Sequence, residues 1–324
     1  MKREFTIHHL QREKIDSQKW DDTIAHSKVG TIYNYSNVLD ALFPHWSALI
    51  IGDYEFIFPM TLTKKWGITY FYPPLFHSYF SVFSANSVTE EIQTAFLTEI
   101  DNYCTFYEFP FLPVEPSLPF PKGILALPKV GQFLNLKQEI SLLQQKYTKQ
   151  LVRNLRKSQR LNLRFEVTNS MIQEVVQTFK HNVGHKLKEL TPSSYDALTR
   201  FIQTTTTEGT GKIYACFNND RLLAIGFFTF SNQRIIYHKG GNTTEGKKIS
   251  AMSALIDHVL LTHSKSDFCF DFGGSSIPSL MHYNHSFGTD QHTFYTLMRT
   301  PYFVRCIKFL KNLISFKNRL AKTK

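Results

Sequence analysis

Apolar residues recur at two spacings along the chain, every three to four residues in some segments and every second residue in others. The first spacing is typical of one face of a helix and the second of a half-buried strand. In the first 112 residues the two spacings predict the order helix, helix, three antiparallel strands, helix and strand. These elements are helices over 17–26, 35–43 and 88–103 and strands over 48–51, 54–62, 68–72 and 105–112.

The same order of elements returns in the second half of the chain. Helices are predicted over 139–159, 171–179, 193–204 and 249–261, and strands over 132–136, 162–168, 212–217, 222–230, 234–239 and 268–272. Five prolines lie between residues 113 and 128, and proline cannot continue a central strand or helix. We therefore expect an α+β fold with two domains, residues 1–130 and 131–300, each a mostly antiparallel sheet flanked by helices.

The composition is that of a globular protein with an anionic partner. Of the 324 residues 42% are hydrophobic and 15% aromatic, and the formal net charge is +11. The four cysteines have no metal-binding or redox spacing, which suits a reducing cytosol, and we expect no metal. No segment is long and apolar enough for a signal peptide or a membrane span, so we expect a cytoplasmic protein, located at the inner face of the membrane if it meets a bilayer.

Positive charge is concentrated on one face of the predicted helix over 139–159, opposite an apolar face. This basic ridge consists of Lys146, Lys149, Arg153, Arg156, Lys157 and Arg160. Two interpretations remain open at this point: an ordinary solvated helix face, or a binding site for an anionic substrate.

Residues 301–324 carry seven Lys or Arg and no acid, with apolar residues along one side of a helical wheel. This pattern predicts a basic amphipathic helix. It could rest on an anionic bilayer or pack on the protein's own surface.

Three short segments carry a recognisable arrangement of residues: the basic run over 147–163, the strand end Phe270-Asp-Phe-Gly-Gly274, and the helix end Tyr283-Asn-His-Ser-Phe-Gly288. Together with the order of elements they resemble the GNAT acyltransferases, and two copies in one chain resemble the FemABX aminoacyltransferases. The resemblance implies two tandem GNAT-like domains and the transfer of an acyl or aminoacyl group to an amine. The implied donor substrate is acyl-CoA or aminoacyl-tRNA.

Two departures from the family pattern leave the donor open. Asn284 stands where characterised FemX-like enzymes tend to carry a lysine after the aromatic residue of the closing helix. The segment 242–250 keeps only one glycine of the loop that usually binds CoA in GNAT enzymes.

The predicted catalytic residues are Asp271, His238 and His282. Asp271 lies within an apolar strand, where burial of a carboxylate requires hydrogen bonds or a cation, so it could be a base or an anchor for the acceptor amine. A structural role in holding Gly273 and Gly274 is the alternative. The histidines are predicted proton carriers because their ordinary pKa lies near 6.5, the alternative being surface or core histidines.

The predicted donor-binding residues lie on one strand and at the start of the next helix, where free N–H groups and the helix dipole favour phosphate. They are Tyr237, Gly240, Gly241, Asn242, Gly246, Lys247, Lys248 and Ser250. The predicted acceptor-binding residues are Lys149, Arg153, Arg156, Lys157, His185, Lys186, Gly274, Ser275, Tyr283 and Asn284.

The leading functional prediction is an N-acyltransferase acting on a small-molecule or lipid-linked, envelope-related amine acceptor. Its expected partners are tRNA, if aminoacyl-tRNA is the donor, and an anionic membrane touched through residues 301–324. The alternative is a non-catalytic protein that binds RNA or an anionic membrane through its basic surface. The position of the basic ridge relative to Asp271 distinguishes the two, because a ridge beside Asp271 favours an enzyme that handles a phosphorylated substrate.

Overall fold

A computed structural model describes residues 5–187, 190–274 and 277–300 in a mixed α+β fold, as predicted. The described strands are β1 (Ile7–Gln11), β2 (Ser47–Ile51), β3 (Phe56–Met60), β4 (Leu62–Lys65), β5 (Ile68–Phe71), β6 (Phe106–Phe111), β7 (Leu125–Asn135), β8 (Leu163–Thr168), β9 (Gly211–Asn218), β10 (Arg221–Ser231), β11 (Arg234–Asn242), β12 (Cys269–Gly274) and β13 (Asp290–Arg299). The described α-helices are α1 (Ser17–His26), α2 (Ser36–Leu42), α3 (Glu90–Glu99), α4 (Ile140–Gln145), α5 (Lys149–Gln159), α6 (Ile172–Asn182), α7 (Pro192–Thr207), α8 (Thr244–Ile249), α9 (Ala251–Thr262) and α10 (Pro278–His285). Short 3-10 helices lie at Arg12–Lys14, Ile32–Asn34, Ile100–Asn102 and Gly184–Lys186.

One large sheet runs through both halves of the chain, in the strand order β4-β5-β6-β13-β7-β12-β11-β10-β9-β8. Strands β1, β2 and β3 form a separate antiparallel sheet. In each half, one strand of the predicted meander pairs in parallel with the strand after the next helix: β5 with β6, and β11 with β12. Strands β7 and β13 join the halves in the middle of the sheet. The division at residue 130 stays a prediction, since β7 crosses it.

The prediction of one strand over 54–62 is wrong, because the chain changes sheets at Thr61. This residue lies between β3 and β4, is fully buried, and donates its hydroxyl proton to the carbonyl oxygen of Tyr72 at 2.7 Å. A local bond from side chain to backbone competes with continuous strand pairing. The predicted three-stranded meander is therefore divided between the two sheets.

The expectation that proline excludes a central strand fails at Pro128, which lies within β7 and pairs with Tyr295 of β13. On its other side β7 meets β12 only from Gly131 onwards. Pro128 therefore lies where β7 has one neighbouring strand among the described residues, so its missing N–H disrupts no second row of hydrogen bonds.

Two predicted helices are each divided into two. The helix predicted over 139–159 breaks between α4 and α5, where the Thr148 N–H donates to the carbonyl of Ser286 at 2.9 Å and the Thr148 hydroxyl caps α5. The helix predicted over 249–261 begins earlier, as α8, and breaks at Ser250, whose φ of 58° is left-handed. At α3 the N-cap is Thr89, whose hydroxyl accepts from the N–H of Ile92.

The two faces of the sheet in the C-terminal half are covered by different helices. Apolar side chains of α5 and α9 pack on one face, against residues that include Phe228, Ile235 and Phe270. Helices α6 and α7 pack on the other, against residues that include Phe227 and Ile236. Helix α2 of the N-terminal half joins this second layer and packs against α7. The N-terminal half thus adjoins the α6–α7 side of the sheet.

Candidate active site

Strands β11 and β12 separate part of the way along their length. They pair in parallel only where Arg234–Ile236 faces Cys269–Asp271, while β11 continues to Asn242 and β12 to Gly274. Among the described residues no other strand fills this gap between β11 and β12. Backbone N–H and C=O groups of separated strands can pair with an extended ligand, so this gap is a candidate donor site.

A β-bulge at His238 sets the direction of the side chains beside the gap. In the pairing of β10 with β11, Phe228 faces Tyr237 and Phe227 faces Lys239, which leaves His238 as the extra residue. A bulge of this kind re-aims the side chains around it. Both His238 and Lys239 consequently lie on the α6–α7 side, His238 against Phe227 at 5.1 Å between ring centroids and Lys239 near Phe179 at 5.5 Å.

His238 is held from both ring nitrogens by hydroxyl groups. Its Nδ1 lies 3.0 Å from the hydroxyl of Tyr33, and its Nε2 lies 2.6 Å from the hydroxyl of Thr229. Burial lowers the pKa of His238 well below 6.5, and the charge of Lys239 lowers it further. The neutral ring then donates from one nitrogen and accepts at the other, which is the state that a proton acceptor requires. Tyr33 comes from the N-terminal half, so both halves build this site.

Asp271 is 1% exposed and has two defined partners. Its Oδ2 accepts from Nη1 of Arg234 at 3.0 Å, and its Oδ1 accepts from the N–H of Gly273 at 2.6 Å. Gly273 has a left-handed φ of 71°, so the carboxylate holds a backbone conformation that favours glycine. This arrangement fits the structural interpretation of Asp271, and a role in the reaction stays a prediction.

His292 of β13 lies close enough to Asp271 and Arg234 for both charges to act on its pKa. A Cβ atom at Gly131 would overlap its ring, so the glycine on β7 makes room for it. Its Nε2 is buried with no hydrogen-bond partner, and burial lowers its pKa, with the charge of Asp271 acting in the opposite direction. The sequence analysis missed His292 and Tyr33. Each comes from a distant part of the chain, and only the folded structure brings Tyr33 to His238 and His292 to Asp271.

Two tyrosines lie beside the gap on the other face of the sheet, one predicted to bind the donor and one predicted to bind the acceptor. Tyr237 belongs to the donor set and Tyr283, on α10, to the acceptor set; the hydroxyl of Tyr283 lies 3.2 Å from that of Ser253. Burial raises the pKa of Tyr283 to about 12, and burial followed by the nearby Tyr283 raises that of Tyr237. Both phenols are therefore protonated at neutral pH and can donate hydrogen bonds into the gap.

Most of the predicted donor loop is helical and already bonded. The side chain of Asn242 accepts from the N–H of Met252 at 2.7 Å and so caps α9. Gly246 lies inside α8, where a Cβ atom would overlap the backbone of Leu223. The helix start predicted to bind the donor is thus a separate short helix packed on β10, in which Lys247 and Lys248 are exposed.

Gly240 and Gly241 end the bulged part of β11 with φ values of 148° and 156°, which favour glycine. A side chain at Gly240 would also overlap the carbonyl of Ile225, so packing alone accounts for this residue. Ser250, the last member of the donor set, is the left-handed residue between α8 and α9.

The basic ridge does not face Asp271. Its helix, α5, packs with α9 on the side of the sheet that carries Phe270 and Phe272, while Asp271 points to the opposite side with Arg234. The ridge side chains, among them the predicted Lys149, Arg153 and Arg156, are exposed. Lys157 donates from Nζ to the carbonyl of Lys248 at 2.7 Å, so this part of the ridge lies beside α8.

The remaining predicted residues are spread over three places. His282 is exposed on α10 and Asn284 is buried there, while His185 is exposed in the 3-10 helix after α6. Gly274 is the last residue of β12. Ser275, the side chain of Lys186 and the segment 301–324 lie outside the described residues.

A separate cleft of about 300 Å³ lies between α5, β8 and α9. Its walls include Leu155, Phe165 and Leu261, and its polar groups include Asp257 and His258. None of the predicted site residues lines it, and the gap between β11 and β12 lies elsewhere on the sheet. We therefore place the candidate active site at the gap.

Two features of the described residues concern other classes of protein. Within the described residues, no three His, Cys, Asp or Glu side chains are grouped as metal ligands. No described helix has the length and apolar character needed to cross a bilayer.

Comparison with known proteins agrees with this fold. Residues 144–283, from α4 to α10, match the family described as acetyltransferase (GNAT) domain. No curated protein matches the sequence. Solved structures of the same fold include FemX, with a TM-score of 0.65 at 10% identity over 89% of this chain and 96% of that one. L-PGS from Bacillus licheniformis has a TM-score of 0.57 at 12% identity, covering 88% of this chain and 92% of that one. A tandem GNAT protein from the clavulanic acid biosynthesis pathway has a TM-score of 0.50 at 10% identity, covering 90% of this chain and 98% of that one.

The predicted resemblance to the GNAT acyltransferases is thus confirmed, as is the tandem α+β arrangement. At these identities the solved structures show the fold alone.

Proposed function

We propose that the protein is an N-acyltransferase whose donor lies in the gap between β11 and β12 and whose acceptor amine approaches from the α6–α7 side. The observation that carries the proposal is the gap itself, flanked by the neutral, doubly bonded His238. Acyl transfer to an amine needs a polarised carbonyl, a neutral amine and a route for one proton. The geometry offers a candidate for each requirement.

In this mechanism the backbone of β11 and β12 orients the acyl carbonyl. The amine nitrogen forms the new C–N bond, the bond from the carbonyl carbon to the donor's sulfur or oxygen breaks, and the amine loses one proton. Tyr33 can accept that proton while passing its own to Nδ1 of His238, whose Nε2–H then faces Thr229. The phenol of Tyr283 can donate a hydrogen bond to the leaving group on the other face. Asp271 and Arg234 keep the end of β12 in place.

Two donors fit the proposal. The GNAT match supports acyl-CoA, while the fold shared with FemX supports considering aminoacyl-tRNA. The exposed cations of α8, together with Lys157, lie on the face of the sheet opposite His238, where they could neutralise donor phosphates. The acceptor is proposed to be a small-molecule or lipid-linked amine of the cell envelope.

The test compares two histidines that the sequence placed in one catalytic set. Acetyl-CoA and a charged tRNA are each incubated with the full-length protein and a panel of primary amines, and release of free CoA or free tRNA is measured. His238→Gln should lower turnover by about 100-fold or more, because general acid–base catalysis contributes about that factor. His282→Gln, at an exposed position, is the matched control and should stay within about twofold. Equal rates for both variants would reject the proposed role of His238, and no shift in melting temperature with either donor would reject the function.

A non-catalytic binding role is the second candidate, favoured by one observation: the basic ridge is exposed and faces away from Asp271. Such a surface would bind RNA or anionic vesicles with strong salt dependence. Arg153→Gln and Arg156→Gln should then weaken that binding at about 50 to 200 mM salt, and the unaltered protein should turn over neither donor. Loss of donor turnover in the same variants would instead assign the ridge to catalysis.

A further inference from the structure

We propose that Lys239 forms a subsite for an anionic group, a carboxylate or a phosphate, on the acceptor. The inference rests on the proposed function in one respect only, the assignment of the α6–α7 side to the acceptor. It narrows the acceptor class to an amine that also carries a negative charge.

The first step is the position of Lys239. The bulge at His238 turns the lysine to the α6–α7 side, where its Nζ lies 5.5 Å from the ring centroids of both Phe76 and Phe179. The side chain is surrounded by protein yet keeps part of its surface accessible. Phe76 comes from the N-terminal half and Phe179 from α6, so the ammonium group lies in the cleft between the halves.

The second step is the lack of a counter-ion. Among the described residues no carboxylate forms an ion pair with Lys239, and its defined contacts are the two aromatic rings and the neighbouring His238. Desolvation consequently lowers the pKa of Lys239 to about 8. Cation–π contacts offset only part of the cost of removing an ammonium from water.

The third step concerns which substrate would supply the missing charge. Lys239 shares its face of the sheet with His238 and Tyr33, whereas the exposed cations of α8 and the ridge lie on the other face. A donor phosphate held by those cations would be separated from Lys239 by the sheet. The anion that reaches Lys239 therefore belongs to the acceptor, which enters from the side of the proton relay.

The experiment measures the reactivity of Lys239 directly and needs no turnover. The full-length protein is trace-labelled with acetic anhydride at pH 7.5, and peptide mass spectrometry gives the labelled fraction of each lysine. Separate samples contain sodium acetate, inorganic phosphate or sodium chloride at equal ionic strength. Lys14, exposed in the 3-10 helix at Arg12–Lys14 and outside the proposed site, is the internal reference.

A bound anion raises the pKa of Lys239, and a rise of one unit lowers its neutral, reactive fraction about tenfold at this pH. We expect acetate or phosphate to reduce labelling of Lys239 by about that factor relative to chloride, with labelling of Lys14 unchanged. Protection by acetate alone would identify a carboxylate site, and protection by phosphate alone a phosphate site. Equal labelling of Lys239 in all three salts would overturn the inference.

Two variants complete the test through the binding of the protecting anion itself. Lys239→Arg keeps the charge and should retain the rise in melting temperature caused by that anion, while Lys239→Met should lose it. A rise retained in Lys239→Met would also overturn the subsite. If an anion protects Lys239 but the protein turns over neither donor, the anion site is confirmed and the proposed function fails. The site would then no longer be assigned to an acceptor.

Discussion

Replacing Asp271 with asparagine tests whether the ion pair with Arg234 holds the end of β12. The asparagine side chain can still accept from the N–H of Gly273, so the change removes mainly the charge that Arg234 faces. The Asp271 side chain is 1% exposed and that of Arg234 20%. Removing one partner of a buried pair costs about 3–5 kcal/mol, and the partial exposure of Arg234 places the expected loss nearer to 2–3 kcal/mol.

A double-mutant cycle isolates the interaction between the two side chains. Asp271→Asn, Arg234→Gln and the double variant are unfolded in urea and followed by circular dichroism, with an expected coupling of about 1.5–3 kcal/mol. Asp267→Asn is the matched control, because Asp267 pairs with Lys137 at 3.1 Å with both side chains about 70% exposed. The free energy of unfolding of the Asp267→Asn variant should fall by less than about 0.5 kcal/mol.

The cycle can refute the reasoning in two ways. A coupling below about 0.5 kcal/mol would show that the contact contributes no measurable stability. A loss of turnover in Asp271→Asn at a temperature where the variant is fully folded would show that Asp271 acts in the reaction as well. Intact turnover with reduced stability would confirm the structural role.

Three further predictions follow from single contacts. Gly131→Ala should lower the free energy of unfolding in urea by about 1–3 kcal/mol, because its methyl group would overlap the ring of His292. Adding His292→Ala should restore most of that loss. A double variant as unstable as Gly131→Ala alone would contradict the steric account. Thr148→Ala should cost about 1 kcal/mol by removing the cap of α5, with unchanged stability as the contrary result. The pKa of Lys239 is about 8 in the folded state and higher in the unfolded state, so the free energy of unfolding should rise between about pH 8 and 10.5. Lys239→Met should remove that rise and should increase the free energy of unfolding at pH 7 by at most about 3 kcal/mol. A pH profile of urea midpoints that is the same for both proteins would refute this assignment.

Local signals were sufficient for elements whose ends are set by their own residues. Helix α1 spans the predicted residues 17–26 because Asp16 accepts from the N–H groups of Gln18 and Lys19 and so fixes the first turn. Helix α4 and helix α5 were predicted as one because their apolar residues face the same core. The bond from the Thr148 N–H to Ser286, 138 positions away, helps to separate them and is not visible in the local pattern.

The candidate site could be predicted only where its residues are close in sequence. Alternation along β12 places Asp271 on the opposite face from Phe270 and Phe272, as the structure has it. The relay from Tyr33 to His238 joins residues 205 positions apart, and no local pattern marks such a pair. Arg234 begins the strand predicted over 234–239, but its pairing with Asp271 depends on the register of two parallel strands.

The two faces of the sheet divide the chemistry of the proposed reaction. The exposed cations of α8 lie on the face with α5 and α9, and the neutral His238 lies on the face with α6 and α7. A donor whose phosphates meet those cations must pass its acyl end through the gap between β11 and β12 to reach the relay. Its extended part would then run along β11 beyond Ile236, where no described strand pairs with β11 on the β12 side. Because only the sheet separates the two groups of residues, Tyr283→Phe on the donor face should lower turnover while leaving the labelling of Lys239 on the opposite face unchanged.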